Sequence, residues 1–265
     1  MDGATTLTSS AAATDIDLST QANSLTGSVT IAGTASNVRD FKLRNTSATA
    51  GTVGNLGNAT TTSLRDLTIT YNSAAYQVPT FTTVTSLRNI AITAGGAITQ
   101  AAGGIVQGSS ATTASFRTGA FGITLTDTSN NFIGAVSLIN TGVNAVAVTD
   151  ANALILGTSS IAEGDLAIIT GAGTLTGGLT QTTGALTVGG TTTLTSSAAS
   201  TDIDLSTAAN SLTGSVTIAG TASNVRDFKL ANTSATAGAV VNLGNATTTN
   251  LRDLTITYNL SLIHI

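Results

Sequence analysis

A stretch of sequence that occurs twice constrains the fold of this chain more than any other feature. Residues Thr5 to Asn72 recur as Thr192 to Asn259, displaced by 187 positions, with six differences over 68 compared positions. The differing pairs are Ala13/Ser200, Gln21/Ala208, Arg44/Ala231, Thr52/Ala239, Gly54/Val241 and Ser63/Asn250. Near-identical units along one chain are typical of repeat arrays, in which each unit buries its apolar face against its neighbours.

The composition predicts an ordered chain with a narrow core. Apolar residues make up 41% of the sequence, but aromatic residues make up 3% and tryptophan is absent. Charged residues contribute 8%, against about 25% in typical globular domains, which is the opposite of the highly charged composition of disordered chains. Nine cations and a net charge of −4 do not provide the basic surface that nucleic acids or anionic membranes attract.

The chain also lacks several targeting and cross-linking signals. Cysteine is absent, which excludes a disulfide framework and thiolate metal sites. No stretch approaches the roughly 18 apolar residues of a membrane helix, so we expect the chain not to span a membrane. The first residues show no basic or apolar region of a signal peptide. Because the sequence enters the repeat almost at once, we expect a fragment of a longer array that continues at both ends.

Short apolar-x-apolar segments predict the secondary structure. Examples are Ile16-Asp17-Leu18, Val29-Thr30-Ile31, Phe41-Lys42-Leu43 and Leu67-Thr68-Ile69. Alternation of this kind in segments rich in threonine and β-branched residues indicates strands. Equivalent segments recur at the spacing of one solenoid turn. We therefore predict an all-β parallel β-helix over residues 1–259, with roughly 20 to 26 residues per turn.

One motif predicts a corner decorated with arginine. It reads Val38-Arg39-Asp40-Phe41, then Leu64-Arg65-Asp66-Leu67, then Leu87-Arg88-Asn89-Ile90. Two inward leucines three residues apart imply a corner between them. Arg39, Arg65 and Arg88 would then lie one above another at about the 4.8 Å strand spacing. Neighbouring carboxylates would offset their charge, and a row that binds sugar or sulfate is the functional alternative.

Asparagine recurs where turns are expected. The first copy carries Asn23, Asn37, Asn45, Asn58 and Asn72. Because asparagine tolerates left-handed backbone and bonds its own chain, it suits tight corners. We expect these side chains to form hydrogen bonds along the solenoid axis.

Two segments depart from the strand pattern. Pro79 is the only proline and should lie outside the strands, because it donates no backbone hydrogen bond. Its aromatic surroundings make Tyr71 to Phe81 a candidate protruding loop. Residues 260–265 break the repeat and resemble translated adapter sequence, so we interpret them as an artefact. They hold the only histidine, and without it no nucleophile, base and orienting group can be assembled.

Other segments resemble the repeat arrays of filamentous haemagglutinin-like exoproteins and autotransporter passengers, which are bacterial surface or secreted β-helices. They are Asn130-Asn131-Phe132-Ile133-Gly134-Ala135-Val136, Thr149-Asp150-Ala151-Asn152-Ala153-Leu154 and 184–194. The resemblance implies an extracellular or cell-surface scaffold of a large adhesin. Its implied partners are host-cell or environmental surfaces, glycans or other cells, bound through many weak contacts.

The main alternative is a β-helical polysaccharide lyase or hydrolase. Such sites need paired carboxylates, or Ca²⁺ with a basic residue, and the candidates are Asp15, Asp17, Asp202 and Asp204. Each pair lies in an Asp-Ile-Asp-Leu strand that points both carboxylates outward. Because the pair is duplicated by the repeat, a solvated surface explains it better. We therefore expect no catalysis and predict no catalytic, cofactor-binding or metal-binding residue.

Two further classes fit the sequence less well. An outer-membrane barrel needs aromatic girdles, which three tyrosines, six phenylalanines and no tryptophan do not supply. A solenoid that binds a crystal lattice would repeat Thr-x-Thr on every turn. Thr68-x-Thr70 becomes Ala91-x-Thr93 on the next turn, so that array is interrupted.

Overall fold

The computed structural model describes residues 2–32, 37–54, 56, 63–81, 86–173, 177–220, 224–243 and 251–258. These residues contain 24 strands and no α-helix. The first twelve are β1 Thr5–Thr8, β2 Thr14–Asn23, β3 Val29–Ala32, β4 Val38–Asn45, β5 Val53–Gly54, β6 Asp66–Tyr71, β7 Tyr76–Val78, β8 Asn89–Ala94, β9 Ile98–Gln100, β10 Thr113–Thr118, β11 Ile123–Leu125 and β12 Ala135–Asn140. The others are β13 Val146–Thr149, β14 Ala153–Leu156, β15 Ser159–Ile161, β16 Leu166–Thr170, β17 Gly178–Gln181, β18 Leu186–Val188, β19 Thr192–Ser196, β20 Thr201–Leu212, β21 Val216–Ala219, β22 Val225–Asn232, β23 Val240–Val241 and β24 Asp253–Tyr258.

The strands form three parallel sheets that run along the axis of a solenoid. A 13-stranded sheet contains β2, the even-numbered strands β4 to β24 apart from β16, and β15 and β17. An eight-stranded sheet joins β7, β9, β11, β13, β16, β19, β21 and β23, and a three-stranded sheet joins β1, β3 and β5. The chain therefore alternates between the long sheet and the shorter ones, as a coil of stacked turns requires.

Strand register confirms the predicted parallel β-helix. Partners in adjacent turns are separated by 20 residues for Val136 and Leu156 and by 27 for Ser160 and Thr187, and a turn takes roughly 24 residues. The two copies of the 187-residue repeat also have the same strand pairing. The bridge from Thr14 to Val38 in the first copy recurs from Thr201 to Val225 in the second, and both are followed by a register shift.

A single hydrophobic core runs inside the coil. In β6, Leu67 and Ile69 point inward and are 1% and 0% exposed, while Thr68 and Thr70 alternate with them on the outer side. Leu64 is also buried although it precedes the strand. The predicted corner between Leu64 and Leu67 is therefore present, and both leucines face the core from either side of it.

The predicted protruding loop from Tyr71 to Phe81 is wrong. Tyr71 ends β6, Tyr76 begins β7, and Phe81 forms a bridge with Ile105, so the segment completes a turn. All three aromatic side chains are at most 1% exposed. The rings of Tyr71 and Tyr76 pack edge to face with centroids 5.1 Å apart, which adds to the stability from apolar burial. Pro79 follows β7 and lies outside the strands, as predicted.

Columns of glycine allow the turns to approach one another at one corner. A Cβ atom on Gly27 would lie 2.4 Å from the carbonyl oxygen of Gly3, and one on Gly214 would lie 2.3 Å from that of Gly190. Gly51 and Gly238 repeat the arrangement one turn later. Real Cβ atoms do not approach backbone this closely, so the corner requires glycine.

The described asparagines of the first copy do not adopt the left-handed backbone that asparagine tolerates. Among the described residues, the non-glycine residues with positive φ are Ala13, Ser200 and Asn242, and the first two are equivalent positions in the two copies. Asn58 and residues 260–265 lie outside the described residues. Among the residues that are described, no helix is long and apolar enough to cross a membrane.

Candidate functional site

Arginines and aspartates on successive turns form a ladder along the solenoid. Arg39 donates from Nε to Asp15 Oδ1 at 2.9 Å and from Nη2 to Asp15 Oδ2 at 2.6 Å. Arg65 makes the same paired bonds to Asp40. Each arginine thus grips the carboxylate of the preceding turn, and the fork geometry suits paired bonds to a carboxylate. The predicted arginine column is confirmed. The paired hydrogen bonds go to the aspartate of the preceding turn, while the adjacent aspartate lies 3.9 Å from Arg39 and 3.5 Å from Arg65.

The second copy repeats the ladder. Arg226 bonds Asp202 with Nε at 2.9 Å, and Arg252 bonds Asp227 with Nη2 at 2.6 Å. Arg252 also lies 3.3 Å from Asp253 in its own turn. The duplication shows that these ion pairs are part of the repeating unit.

The first ladder ends differently at its upper turn. Arg88 Nη2 donates to Asp66 Oδ2 at 3.0 Å, while Asn89 Nδ2 donates to Asp66 Oδ1 at 2.8 Å. Because the amide of Asn89 occupies the second oxygen, Arg88 makes only one of the two bonds that Arg65 makes. Arg88 Nε is buried and has no hydrogen-bond partner among the described residues.

A groove runs beside this ladder, and we call it the arginine groove. It has a volume of about 450 Å³ and is lined by Ala13, Arg39, Ser63, Arg65, Ser86, Arg88 and Ser110. On the turns of Arg65 and Arg88, a serine two residues before the arginine also lines the groove. The Ser86 hydroxyl donates to the carbonyl oxygen of Leu64 at 2.8 Å, which fixes one wall of the groove to the preceding turn.

The Asp-Ile-Asp strands place their carboxylates on the outer face, as predicted. The guanidinium of Arg39 lowers the pKa of Asp15, and hydrogen bonds from the hydroxyl and backbone N–H of Ser19 lower the pKa of Asp17. Lys42 lies 3.9 Å from Asp17. A cavity of about 180 Å³ lies against this strand, and one of about 150 Å³ lies against the equivalent strand of the second copy. Asp15 and Asp17 are thus held ionised by hydrogen bonds from Arg39 and Ser19.

Buried asparagines tie the corners together. Asn210 is 0% exposed; its Oδ1 accepts from Leu186 N at 2.9 Å and its Nδ2 donates to the carbonyl of Leu205 at 2.7 Å. Asn45 makes two bonds to the backbone of Leu25. The predicted axial bonding is present. Asn45 and Asn210 bond to backbone, and Asn152 Nδ2 donates to Asn131 Oδ1 of the preceding turn at 2.6 Å.

At one such corner the buried side chain is the carboxyl group of Asp150, where other corners have asparagine. It is 0% exposed and accepts from Phe132 N at 3.0 Å and from Asn152 N at 2.9 Å. Burial raises the pKa of Asp150 to about 6, although these backbone donors act in the opposite direction. Asp150 was not predicted as a site residue from the sequence. The Asp-x-Asn spacing that permits a bond from the side chain to the backbone two residues on was the available signal.

We expect Asp150 to make stability depend on pH. Its pKa is raised in the folded state, so its full stabilising contribution is present below the unfolded pKa of about 3.9 and is lost as pH rises past about 6. Relative to Asp150→Asn, the free energy of unfolding of the natural chain should fall by about 3 kcal/mol between about pH 4 and pH 7. Urea titrations of both proteins across this range measure the difference. Parallel pH profiles would show that Asp150 is not the buried titrating group.

No three of the described aspartate, glutamate or histidine side chains come together as a group that could hold a metal ion. The candidate sites are therefore the arginine groove and the two Asp-Ile-Asp faces. The structure brings Arg39, Arg65 and Arg88 together, and it keeps Asp15 and Asp17 far along the axis from their copies Asp202 and Asp204, several turns away.

Comparison with known proteins identifies the repeat. A family model described as repeats of unknown function (DUF5649) matches residues 1–32, 39–139 and 143–219, which is well over half of the chain. No curated protein and no solved structure matches the chain. The matched segments contain both the Asp-Ile-Asp strands and the turns of the first ladder. The chain therefore belongs to this family of repeats, and its described residues fold them into a parallel β-solenoid.

Proposed function

We propose that the chain is a structural scaffold segment of a large secreted or cell-surface adhesin and that it performs no catalysis. The observation that carries this proposal is the continuous stack of parallel strands around one narrow core. In such a stack each turn is stabilised by its neighbours, so that length is added without new domains. The outer surface is built mainly of threonine, serine, asparagine and short apolar side chains, which suits a long spacer that presents repeated weak contacts.

The state of the outward carboxylates supports a structural role. Asp15 and Asp17 each have a lowered pKa because neighbouring donors engage them. A general acid needs a raised pKa near the operating pH. A pair of carboxylates held ionised by Arg39 and Ser19 fits ladder and turn contacts better than proton transfer.

A β-helical polysaccharide lyase or hydrolase is the second candidate. It is favoured by the cavities beside Asp15 and Asp17 and beside Asp202 and Asp204, where a sugar chain could meet three carboxylates and a lysine. The occurrence of this arrangement in both copies of the repeat favours the scaffold instead. A structural ladder is built from many equivalent turns, whereas an enzyme needs a single active site.

Bead adhesion tests the proposal and its rival together. Beads carrying the chain at graded densities are incubated with cells and with polysaccharide-coated surfaces, and released sugar is measured in the same samples. We expect adhesion that rises steeply with density, because many weak contacts act together, and no release of sugar. Adhesion no greater than that of beads carrying an unrelated solenoid would overturn the scaffold proposal. Sugar release that Asp202→Ala abolishes would establish the enzyme.

Location is tested separately in the source cells. Antibodies against the chain should label intact, unpermeabilised cells or the medium in which the cells grew. Labelling only after permeabilisation would contradict a surface or secreted adhesin.

A further inference from the structure

We propose that the arginine groove binds an extended anionic polysaccharide, with Arg88 as its anchoring residue. This goes beyond the scaffold proposal, because binding at the groove depends on its own geometry and not on where the chain is displayed.

The charge of Arg88 is compensated less than that of the other arginines in the column. Arg65 lies between two carboxylates, bonded to Asp40 and 3.5 Å from Asp66 in its own turn. Arg88 has an ion pair with Asp66 alone among the described residues, since its own turn carries the neutral Asn89. A guanidinium that pairs with one carboxylate and whose side chain is 35% exposed retains capacity for a further anion at its exposed edge.

Arg65 and Arg88 lie outside the carboxylates to which they donate hydrogen bonds. The Asp40 and Asp66 side chains are 13% and 24% exposed, whereas those of Arg65 and Arg88 are 34% and 35% exposed. The groove therefore presents the outer edges of guanidinium groups above a layer of shielded carboxylates. A ligand meets hydrogen-bond donors first, and guanidinium groups favour planar anions such as carboxylate and sulfate.

The repeat of the groove selects a polymer. Arg39, Arg65 and Arg88 occupy three successive turns, and neighbouring strands lie about 4.8 Å apart. An extended chain with a charged group on each sugar can place successive anions along this row. Each contact contributes little affinity, but several contacts made together bind tightly. The described lining contains no aromatic side chain, so it lacks the stacking platform that single-stranded nucleic acids use.

The second copy provides an internal control. Its upper arginine, Arg252, lies near two carboxylates, Asp227 at 2.6 Å and Asp253 at 3.3 Å. In the repeat Arg252 is the counterpart of Arg65 and is followed by Asp253, the counterpart of Asp66, whereas Arg88 is followed by Asn89. The charge of Arg252 is therefore more fully compensated than that of Arg88. We expect the anchoring behaviour at Arg88 and not at Arg252.

Affinity electrophoresis and fluorescence titration with labelled oligosaccharides test the proposal. The probes are an oligogalacturonate, its neutral methyl ester, a sulfated oligosaccharide and a single-stranded oligonucleotide of similar charge. We expect the carboxylated or sulfated probe to bind at low salt and to weaken as salt rises, and the methyl ester not to bind. Comparison of the carboxylated and sulfated probes identifies which anion the groove prefers.

Three variants locate the site. Arg88→Gln should weaken binding by about tenfold, as expected for the loss of one charged hydrogen-bonding anchor. Asn89→Asp, which places after Arg88 a carboxylate like those that follow Arg65 and Arg252, should weaken it by a similar factor while keeping every arginine. Arg252→Gln should change affinity less than about twofold. Circular dichroism confirms that each variant retains its strands.

Several results would overturn the proposal. They are the absence of binding to both anionic oligosaccharides, tighter binding of the oligonucleotide, or equal affinities for Arg88→Gln, Asn89→Asp and the natural chain. The two proposals can fail separately. If the chain supports bead adhesion but does not bind the oligosaccharides, only the groove proposal is rejected. If it binds the oligosaccharides but does not support bead adhesion, only the scaffold proposal is rejected.

Discussion

Asn210→Leu should lower the free energy of unfolding by about 3 kcal/mol or more, since each buried group left without its partner costs about 1 to 3 kcal/mol. Leucine is close in size to asparagine but cannot accept from Leu186 N or donate to the carbonyl of Leu205. The amide of Gln181 also bonds Asn210 and would lose that contact. Urea-induced unfolding followed by circular dichroism measures the loss.

A matched control separates burial from the residue type. Asn72 is exposed, so Asn72→Leu should change the free energy of unfolding by no more than about 0.5 kcal/mol. Equal effects at the two positions would contradict the account of Asn210 as a buried corner tie.

Gly214→Ala should destabilise the stack by about 3 kcal/mol, because overpacking against backbone forces the turns apart. The added Cβ would lie 2.3 Å from the carbonyl oxygen of Gly190 in the preceding turn. A side chain could rotate away from such a contact, but a backbone carbonyl within a stacked corner cannot. The melting temperature should fall accordingly, and thermal unfolding measures it.

The same change elsewhere should be tolerated. A Cβ atom on Gly54 would find its nearest neighbour at 3.8 Å, and the second copy carries Val241 at the equivalent position. Gly54→Ala should therefore be close to neutral. A loss as large as that of Gly214→Ala would indicate that backbone entropy, and not close approach of turns, governs these glycines.

The fold could be predicted because several turns repeat one alternating pattern. The alternation of Leu67, Thr68 and Ile69 predicts which side chains of that strand point into the core and which point outward. The same pattern one turn later predicts the register between the two strands. The aromatic segment could not be predicted in the same way. Tyr71 and Tyr76 lie five residues apart, which does not fit the two-residue alternation of a single strand. A corner between β6 and β7 separates them, and this corner directs both rings into the core.

The arginine column was predicted from sequence, but its pairing was not. Sequence places Asp66 beside Arg65, whereas the fork of Arg65 reaches back to Asp40 in the preceding turn. Only the structure shows that Asn89 takes one oxygen of Asp66 and leaves Arg88 with a single bond. Asp150 was missed because a lone acidic residue in a polar turn gives no sign of its burial.

Cysteine cross-linking tests the stacked-turn architecture most directly, because the chain has no cysteine of its own. Thr68 pairs with Ala91 one turn later, and Ala91 pairs with Ser115 one turn after that. Adjacent partners lie about 4.8 Å apart, within the Cα separation that a disulfide spans, whereas positions two turns apart lie about 10 Å apart and beyond it. We expect oxidation to join Thr68→Cys with Ala91→Cys and not with Ser115→Cys. Failure of the first pair to cross-link, or equal cross-linking of both, would contradict the parallel β-solenoid.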